Sequence, residues 1–323
     1  MTSAPTPPIE ADLAALLARQ RAAFLREGPP GLARRREDLA SLSAAIRAHR
    51  GEFVAAISAD FGYRSPHETS LLELTLIVEG IAYLRRHLGR WMRPEWRRVA
   101  LQFLPGSNRV IYQPLGVVGI MAPWNYPVSL ALTPLATAVA AGNRVMLKPS
   151  EITPRTADLL VRMLAGIFHP DQVAVVTGNA TVGAAFSSLP FDHLLFTGST
   201  PVGRAVMRAA SDNLVPVTLE LGGKSPAIVD RGAPLPLAAR RIAYGKLTNA
   251  GQTCIAPDYV LVAEPEVDAF VAAYAAEVAS LYPNIAANPD YSSIVSDRHH
   301  RRLLDLLQDA RDRGAREIGR AHV

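Results

Sequence analysis

The first third of the chain carries apolar residues at the spacing of amphipathic helices. Leu13, Leu16 and Leu17 fall on one face of a helix, as residues three and four positions apart do. The same stepping recurs further along the chain, at Leu71, Leu74, Val78 and Ile81. We therefore assign residues 1–108 to a helical leader, and we expect its apolar faces to pack on the domain that follows.

From residue 109 the pattern changes to short apolar runs separated by helical stretches. The runs predict strands at residues 117–122, 145–147, 173–176, 193–196 and 215–219. Helical periodicity falls between them, at residues 129–141, 153–168, 182–189 and 200–210. Strands that alternate with helices of this length form βαβ units around a parallel sheet. The fold class is therefore α/β, and residues 109–220 are predicted to form a doubly wound nucleotide-binding domain.

The alternation starts again after Glu220. Strands are predicted at residues 227–229 and 259–262, with a helix at 235–249 between them and further helices after them. Residues 221–323 are thus predicted to begin a second α/β domain. A charge-free run at residues 111–143 is long enough for a membrane span. Because four prolines interrupt it, we interpret it as a strand, a turn and a buried helix.

Composition narrows the class of protein. At 323 residues with 49% hydrophobic content, the chain is long enough to bury a core and to form two domains. Its net charge of +5 is spread along the predicted helices and is not gathered into one run, so we expect no nucleic-acid partner. The chain has a single cysteine and no apolar signal sequence near its start, so we expect a cytoplasmic protein without a membrane partner.

Lysine is scarce in this chain. Of the 34 Lys and Arg residues only Lys148, Lys224 and Lys246 are lysines. Where arginine is used almost everywhere, a retained lysine suggests a site that needs a compact ammonium group. Lys148 ends a predicted strand and stands three residues before Glu151. The pair is either a surface ion pair or a group that reaches the hydroxyls of a ribose.

The one cysteine, Cys254, ends the sequence Gly-Gln-Thr-Cys and stands 34 residues after Glu220, which opens Glu-Leu-Gly-Gly-Lys-Ser. A lone cysteine makes no internal disulfide, which leaves a buried thiol, a surface thiol or a nucleophile. The residues around it are small and polar, whereas Leu, Ile and Val usually enclose an inert core cysteine. This setting favours a nucleophile, and a carboxylate nearby could then activate a water.

The two motifs around Glu220 and Cys254, in this order and at this interval, resemble the aldehyde dehydrogenase superfamily. Residues 251–259 and 110–125 are most similar to its class 3-like members, among them coniferyl aldehyde dehydrogenases. The resemblance implies an aldehyde dehydrogenase-like fold. It also implies NAD(P)-dependent oxidation of an aldehyde, aromatic such as coniferaldehyde or of medium chain length, to the carboxylic acid. No metal site is expected, because no ligand spacing suggests one.

The resemblance assigns chemical roles to three residues. Cys254 attacks the aldehyde carbon, Asn125 and the backbone N–H of Cys254 stabilise the oxyanion, and Glu220 activates the water that hydrolyses the thioester. The alternative within this chemistry is an acylating enzyme in which coenzyme A replaces water; the Glu220 site favours water. Without the family, the Asn125 segment is a proline-rich turn whose asparagine caps the next helix.

NAD is the cofactor that the resemblance implies, and NADP is possible. The residues expected to contact it are Trp124, Lys148, Glu151, Gly198, Ser199, Gly203 and Leu221. Glu151 should repel a 2′-phosphate and so favour NAD. Residues 198–203 alone are a weak phosphate-binding signal, because Thr200 replaces the middle glycine of Gly-x-Gly-x-x-Gly and many helix N-termini look similar without a ligand.

Members of this superfamily extend well beyond the length of this chain, so the resemblance implies a C-terminally truncated chain with an incomplete catalytic domain. The last residues, 318–323, match one reading frame of a sequencing-library adapter, which makes a clipped frame the expected explanation. We expect the full-length protein to be a homodimer that takes a small-molecule aldehyde. The alternative from a different class is a truncated, non-catalytic nucleotide-binding protein.

Overall fold

The computed structural model describes residues 9–318, which form two compact units. The first comprises the described residues up to Glu52 together with Leu72–Glu220. The second comprises Phe53–Leu71 and the described residues from Leu221 onward. Along the chain, one boundary between the units lies between Glu220 and Leu221. The segment Phe53–Leu71, predicted as part of the leader on the nucleotide-binding domain, belongs instead to the second unit, because its polar groups bond to residues of that unit.

Helices dominate the leader. They are α1 (Ile9–Glu27), α2 (Leu32–Ala48), α3 (Arg50–Phe61), α4 (Pro66–Glu68), a π-helical stretch (Thr69–Thr75) and α5 (Leu76–Trp91). In the second predicted apolar set, Leu74, Val78 and Ile81 are buried as expected, but Leu71 is 59% exposed. The wider turns of the π-helix shift the phase of the apolar face, and this places Leu71 outside the core.

A two-stranded antiparallel hairpin follows the leader helices. It is formed by β1 (Glu95–Arg97) and β2 (Asn108–Val110), and every residue of both strands is exposed. Large apolar side chains are exposed on this hairpin and its flanks, namely Trp96, Leu101, Phe103, Leu104, Val110, Ile111 and Tyr112. We call this segment the exposed hairpin; exposed apolar side chains concentrated in one segment are typical of an interaction surface.

The first unit is built on a five-stranded sheet with the strand order β5-β4-β3-β6-β7. The strands are β3 (Val117–Met121), β4 (Arg144–Lys148), β5 (Val173–Val175), β6 (His193–Gly198) and β7 (Val217–Leu221). β3 pairs in parallel with β4 and with β6, and β4 pairs in parallel with β5. All residues of β3 and β4 are buried, which explains why their centres are continuous apolar runs without alternation.

Four helices connect these strands: α6 (Ser129–Ala141), α7 (Pro154–Ala165), α8 (Ala180–Ser187) and α9 (Thr200–Ser211). As predicted, α6 ends before Gly142, which has a left-handed φ of +89°. A Cβ atom at Gly142 would also lie 2.6 Å from Cζ of Arg35. The strand order is that of a doubly wound nucleotide-binding sheet, and it reverses between β3 and β6. The predicted α/β fold class with a parallel sheet is confirmed.

The second unit contains a parallel strand pair, β8 (Ser225–Val229) with β9 (Pro257–Val262). Its longer helices are α10 (Leu235–Leu247), α11 (Val267–Leu281) and α12 (Asp297–Asp312). Val229, Ala239 and Phe270 form a small buried core. No helix within residues 9–318 is long and apolar enough to cross a membrane. Residues 319–323 of the adapter-like end lie outside the described part of the chain.

Candidate active site

Most of the predicted cofactor contacts lie at one edge of the parallel sheet. Lys148 is the last residue of β4, Gly198 is the last residue of β6, and Ser199 and Gly203 follow into α9. Trp124 lies in the loop between β3 and α6. Because parallel strands end at the same edge, these residues follow the carboxyl ends of strands on both sides of the point where the order reverses. In doubly wound sheets, nucleotides bind in the crevice at this point.

Lys148 and Glu151 form an ion pair at this edge. Nζ of Lys148 lies 2.9 Å from Oε2 of Glu151 and also donates to the carbonyl oxygen of Pro149 at 3.2 Å. Lys148 is buried, whereas 44% of the Glu151 side chain is exposed. Burial by itself raises the pKa of Glu151, but hydrogen bonds from Lys148 and from its own backbone N–H, together with the Lys148 charge, outweigh burial and lower that pKa. The carboxylate is therefore ionised at neutral pH and accessible to a ligand.

The turn between β6 and α9 presents the start of a helix. Ser199 takes the N-cap position, and its side chain makes no capping hydrogen bond. The N–H of Gly203 donates to the carbonyl oxygen of Ser199 at 2.9 Å. A Cβ atom at Gly198 would lie 2.5 Å from Cζ of Phe196, so glycine fits there without displacing the ring. The first N–H groups of a helix have no partner within it, and this arrangement suits an anion such as pyrophosphate.

The loop with Trp124 and Asn125 is anchored by a carboxylate that the sequence analysis missed. Glu73 is fully buried, and its Oε2 accepts hydrogen bonds from the backbone N–H groups of Val128 (2.8 Å) and Ser129 (3.0 Å). An anion at a helix N-terminus is favoured by the peptide dipoles. Glu73 therefore caps α6, a role that one sequence interpretation gave to Asn125, and Asn125 itself is half-buried in the loop.

Glu220 and Cys254 both have exposed side chains. Glu220 lies in β7 of the first unit, and Cys254 follows α10 in the second. Within the second unit, the chain after Leu221 passes beside Cys254, since a Cβ atom on Gly222 would lie 3.9 Å from Cβ of that residue. Glycine at this position leaves the volume of a side chain free next to Cβ of Cys254.

Cys254 follows a turn with a left-handed backbone. The helix predicted to run to Asn249 ends at Leu247. Asn249, Ala250 and Gly251 then have φ values of +53°, +51° and +75°. A residue other than glycine pays about 1–2 kcal/mol for this conformation. The predicted helix was therefore too long, because hydrophobic periodicity carries no signal for a turn that distant contacts hold in place.

Two further residues without a predicted role contact this turn. Glu68 accepts a hydrogen bond from the backbone N–H of Asn249 at 2.9 Å, and Gln252 Nε2 donates to the carbonyl oxygen of Asn249 at 3.0 Å. Gln252 stands inside the Gly-Gln-Thr-Cys motif, whereas Glu68 and Glu73 stand in no motif and only the structure identifies them. Among the described residues, no group of three or more His, Cys, Asp and Glu side chains could hold a metal ion.

The sequence model of the aldehyde dehydrogenase family matches residues 10–320. The probable coniferyl aldehyde dehydrogenase of Pseudomonas aeruginosa is 53% identical over 303 residues, which cover 94% of this chain and 64% of that protein. The coniferyl aldehyde dehydrogenase of Pseudomonas sp. strain HR199 is 48% identical, over 95% of this chain and 63% of that protein. The chain thus spans less than two thirds of the length of these curated relatives.

Solved structures share the fold. The substrate-bound state of Staphylococcus aureus AldH matches with a TM-score of 0.89 and 38% identity, over 92% of this chain and 65% of that chain. The Mycobacterium tuberculosis aldehyde dehydrogenase complexed with NAD⁺ matches with a TM-score of 0.87 and 30% identity, over 97% of this chain and 66% of that chain. Nearly all of the chain therefore has a counterpart in a known fold.

The variant Gly251→Ala is expected to destabilise the second unit. Its new Cβ atom would have to adopt the left-handed φ of +75° and would lie 3.1 Å from the carbonyl oxygen of Lys246. We expect the free energy of unfolding, measured by urea denaturation, to fall by about 1–2 kcal/mol. Gly223→Ala is the matched control, because its Cβ position has no described atom within 4 Å and its φ lies outside the left-handed region. Equal stabilities of the two variants would contradict strain at Gly251.

Proposed function

Because the chain belongs to the aldehyde dehydrogenase family, we propose that it forms the nucleotide-binding and nucleophile-bearing part of an NAD(P)-dependent aldehyde dehydrogenase. The observation that carries this proposal is the setting of Cys254, whose side chain is exposed and has Gly222 beside it. Space next to the sulfur admits an aldehyde carbon. An inert thiol enclosed in a core lacks such space.

In the proposed reaction, the Cys254 thiolate attacks the aldehyde carbon, which forms a C–S bond and moves the carbonyl electron pair onto oxygen. The side-chain amide of Asn125 and the backbone N–H of Cys254 donate hydrogen bonds to this oxyanion, and one such donor typically lowers the barrier by about 3 kcal/mol. NAD, when bound, supplies the hydride acceptor for the oxidation. Glu220 takes a proton from water, the hydroxide attacks the thioester carbonyl, and cleavage of the C–S bond releases the carboxylic acid.

The first unit offers groups that suit NAD. Lys148 gives a fixed donor and Glu151 gives accessible carboxylate oxygens, which together suit the adjacent hydroxyls of a ribose. The turn from Gly198 into the start of α9 suits the pyrophosphate. We assign the cofactor contacts to Trp124, Lys148, Glu151, Gly198, Ser199, Gly203 and Leu221. The negative charge of Glu151 opposes a 2′-phosphate, so NAD is the preferred cofactor and NADP the poorer one.

An aromatic aldehyde such as coniferaldehyde is the proposed substrate, and medium-chain aldehydes are the second class. The similarity to two proteins named for coniferyl aldehyde supports this choice. Water is the proposed acyl acceptor, because an exposed carboxylate at Glu220 can take its proton.

We also propose that the complete protein is a cytoplasmic homodimer. The exposed hairpin supports this assembly, because its strands present unpaired edges and its Trp96 side chain is 68% exposed. Pairing with a second copy would remove this apolar surface from water. The single thiol of the chain is compatible with a reducing compartment.

Two variants of the complete protein test the assigned chemistry. Cys254→Ala is expected to lower kcat for aldehyde oxidation, followed by NADH absorbance, by more than about 10³-fold, because no C–S bond can form. Glu220→Gln is expected to slow only thioester hydrolysis, so intact-protein mass spectrometry should detect an added acyl group after mixing with aldehyde and NAD. Substantial turnover by Cys254→Ala would remove this residue as the nucleophile. A Glu220→Gln protein without an acyl adduct would contradict the role of Glu220.

The charge of Glu151 is expected to set the cofactor preference. Glu151→Gln keeps an oxygen for Lys148 but removes the repulsion of a 2′-phosphate. We expect the ratio of kcat/KM for NAD to that for NADP to fall by about tenfold, which corresponds to about 1.4 kcal/mol. Asp158→Asn is the matched control, because Asp158 is an exposed carboxylate on α7. An equal change in both variants would assign the effect to overall charge and not to Glu151.

A charged residue placed in the exposed hairpin tests the proposed homodimer. Trp96→Asp in the complete protein is expected to shift the species found by sedimentation equilibrium from dimer to monomer, because association would bury an unpaired charge. Leu25→Asp is the control, since Leu25 is 75% exposed on α1 and lies outside the exposed hairpin. A monomeric wild-type protein, or a dimer that Trp96→Asp leaves intact, would refute this assembly.

A further inference from the structure

Two distant segments of the second unit are bonded to each other beside the turn that precedes Cys254. The backbone N–H of Ser65 donates to Oγ of Ser292 at 3.3 Å, and the backbone N–H of Ser293 donates to the carbonyl oxygen of Tyr63 at 2.9 Å. Ser65 and Ser292 are each 1% exposed. These buried bonds form a fixed base against which the turn can be held.

Glu68 connects this base to the turn with both of its carboxylate oxygens. Oε1 accepts the backbone N–H of Asn249 at 2.9 Å, and Oε2 accepts the hydroxyl of Ser292 at 2.7 Å. Asn249 is fully buried, and removal of a partner from a buried polar group costs about 1–3 kcal/mol. Burial first, and then the charges of Glu68 and of neighbouring groups, raise the pKa of Tyr282 to about 12.

Gln252 uses its entire side-chain amide in the same region. Nε2 donates to the carbonyl oxygens of Asn249 (3.0 Å) and Ser293 (2.9 Å), and Oε1 accepts the backbone N–H of Val295 at 2.9 Å. In return, Nδ2 of Asn249 donates to the carbonyl oxygen of Gln252 at 3.2 Å. Gln252 is joined to Cys254 through a single residue, so each of these bonds restricts the backbone that carries the thiol.

We propose that Glu68 and Gln252 are positioning residues: they hold the left-handed turn at residues 249–251 and thereby fix the direction of the Cys254 thiol. The proposal rests on the proposed function, in which this thiol is the nucleophile. Without these bonds, the strain of the turn, about 1–2 kcal/mol for a residue with a side chain, is relieved by rearrangement of the backbone. The thiol then leaves its attacking position, and a misplacement of about 1 Å can cost about 100-fold in rate.

The test compares a disruptive and a conservative change at Glu68 in the complete protein. Glu68→Ala removes both acceptors, and we expect kcat to fall by about 10- to 100-fold with the KM for NAD unchanged. Amide hydrogen exchange in peptides that contain Asn249 is expected to become about tenfold faster. Glu68→Gln keeps an oxygen that accepts from Asn249, and its NH2 group can donate to Oγ of Ser292 in place of the present bond from that hydroxyl, so it should recover kcat to within about threefold of wild type.

A second variant tests Gln252 without a change of shape. Gln252→Glu keeps the acceptor for Val295 but places an anion against the carbonyl oxygens of Asn249 and Ser293. We expect it to reproduce the effects of Glu68→Ala on kcat and on exchange. Glu264→Ala is the matched control, because Glu264 is an exposed glutamate of the same unit, and it should behave as wild type.

The two readouts separate this proposal from the proposed function. Hydrogen exchange needs no substrate, so it decides whether Glu68 and Gln252 hold the turn whether or not the protein is active. If the wild-type protein oxidises no aldehyde, that result by itself refutes only the proposed function. Unchanged exchange in folded Glu68→Ala and Gln252→Glu proteins would overturn the proposal. Faster exchange with an unchanged kcat would also overturn it, because the bonds would then act on stability alone. If Glu68→Ala does not fold, Gln252→Glu and Glu68→Gln still provide both readouts.

Discussion

The parallel pairing of β3 with both β4 and β6 is the constraint on which the candidate cofactor site depends. The chain builds from β3 first through β4 to β5, and then crosses to β6 and β7 on the other side. Loops that leave β3 and β6 at the same edge therefore diverge, and a crevice opens between them. The turn at residues 198–203 is a weak fingerprint as a sequence, since Thr200 replaces a glycine. Its position at this crevice distinguishes it from an ordinary helix start, because α9 begins at the sheet edge where doubly wound sheets bind nucleotides.

Much of the secondary structure of the first unit could be predicted, because a buried strand is recognisable from the apolar residues of its own short segment. Val117–Met121 is buried along its whole length and is a continuous apolar run, and Gly142 ends α6 at the predicted residue. The assignment of Phe53–Leu71 could not be predicted in this way. Glu68 bonds to residues 181 and 224 positions away in the sequence, and no local pattern encodes such partners. In a helical leader, a carboxylate that bonds to a distant segment has the same sequence signature as one on a solvated face.

The scarcity of lysine suggested that each retained lysine occupies a site that needs a compact ammonium group, and the three lysines do not support this suggestion equally. Lys148 is buried with its ammonium group bonded, which is the situation in which a compact cation differs from a guanidinium. Lys224 instead forms an exposed ion pair with Asp258 at 2.6 Å, and such pairs contribute about 0–1 kcal/mol. Lys246 packs the aliphatic part of its side chain beside the turn, since its Cε atom would lie 3.5 Å from a Cβ atom on Gly251. The sequence argument therefore applies to Lys148, and for Lys224 a surface ion pair is a sufficient explanation.

In the turn before Cys254, the free-energy cost of backbone strain and the stabilisation from hydrogen bonds are of similar size. Asparagine tolerates the left-handed region and glycine adopts it freely, so Ala250 bears most of the cost, about 1–2 kcal/mol. A hydrogen bond contributes about 0.5–1.5 kcal/mol net, so about two of the bonds made by Glu68 and Gln252 offset that strain. A turn whose strain is only just offset by hydrogen bonds keeps one conformation only while the side chains that make those bonds remain in place. Under our proposal, the direction of the exposed thiol thus depends on half-buried polar side chains, and the most distant of them in sequence, Glu68, belongs to no local motif.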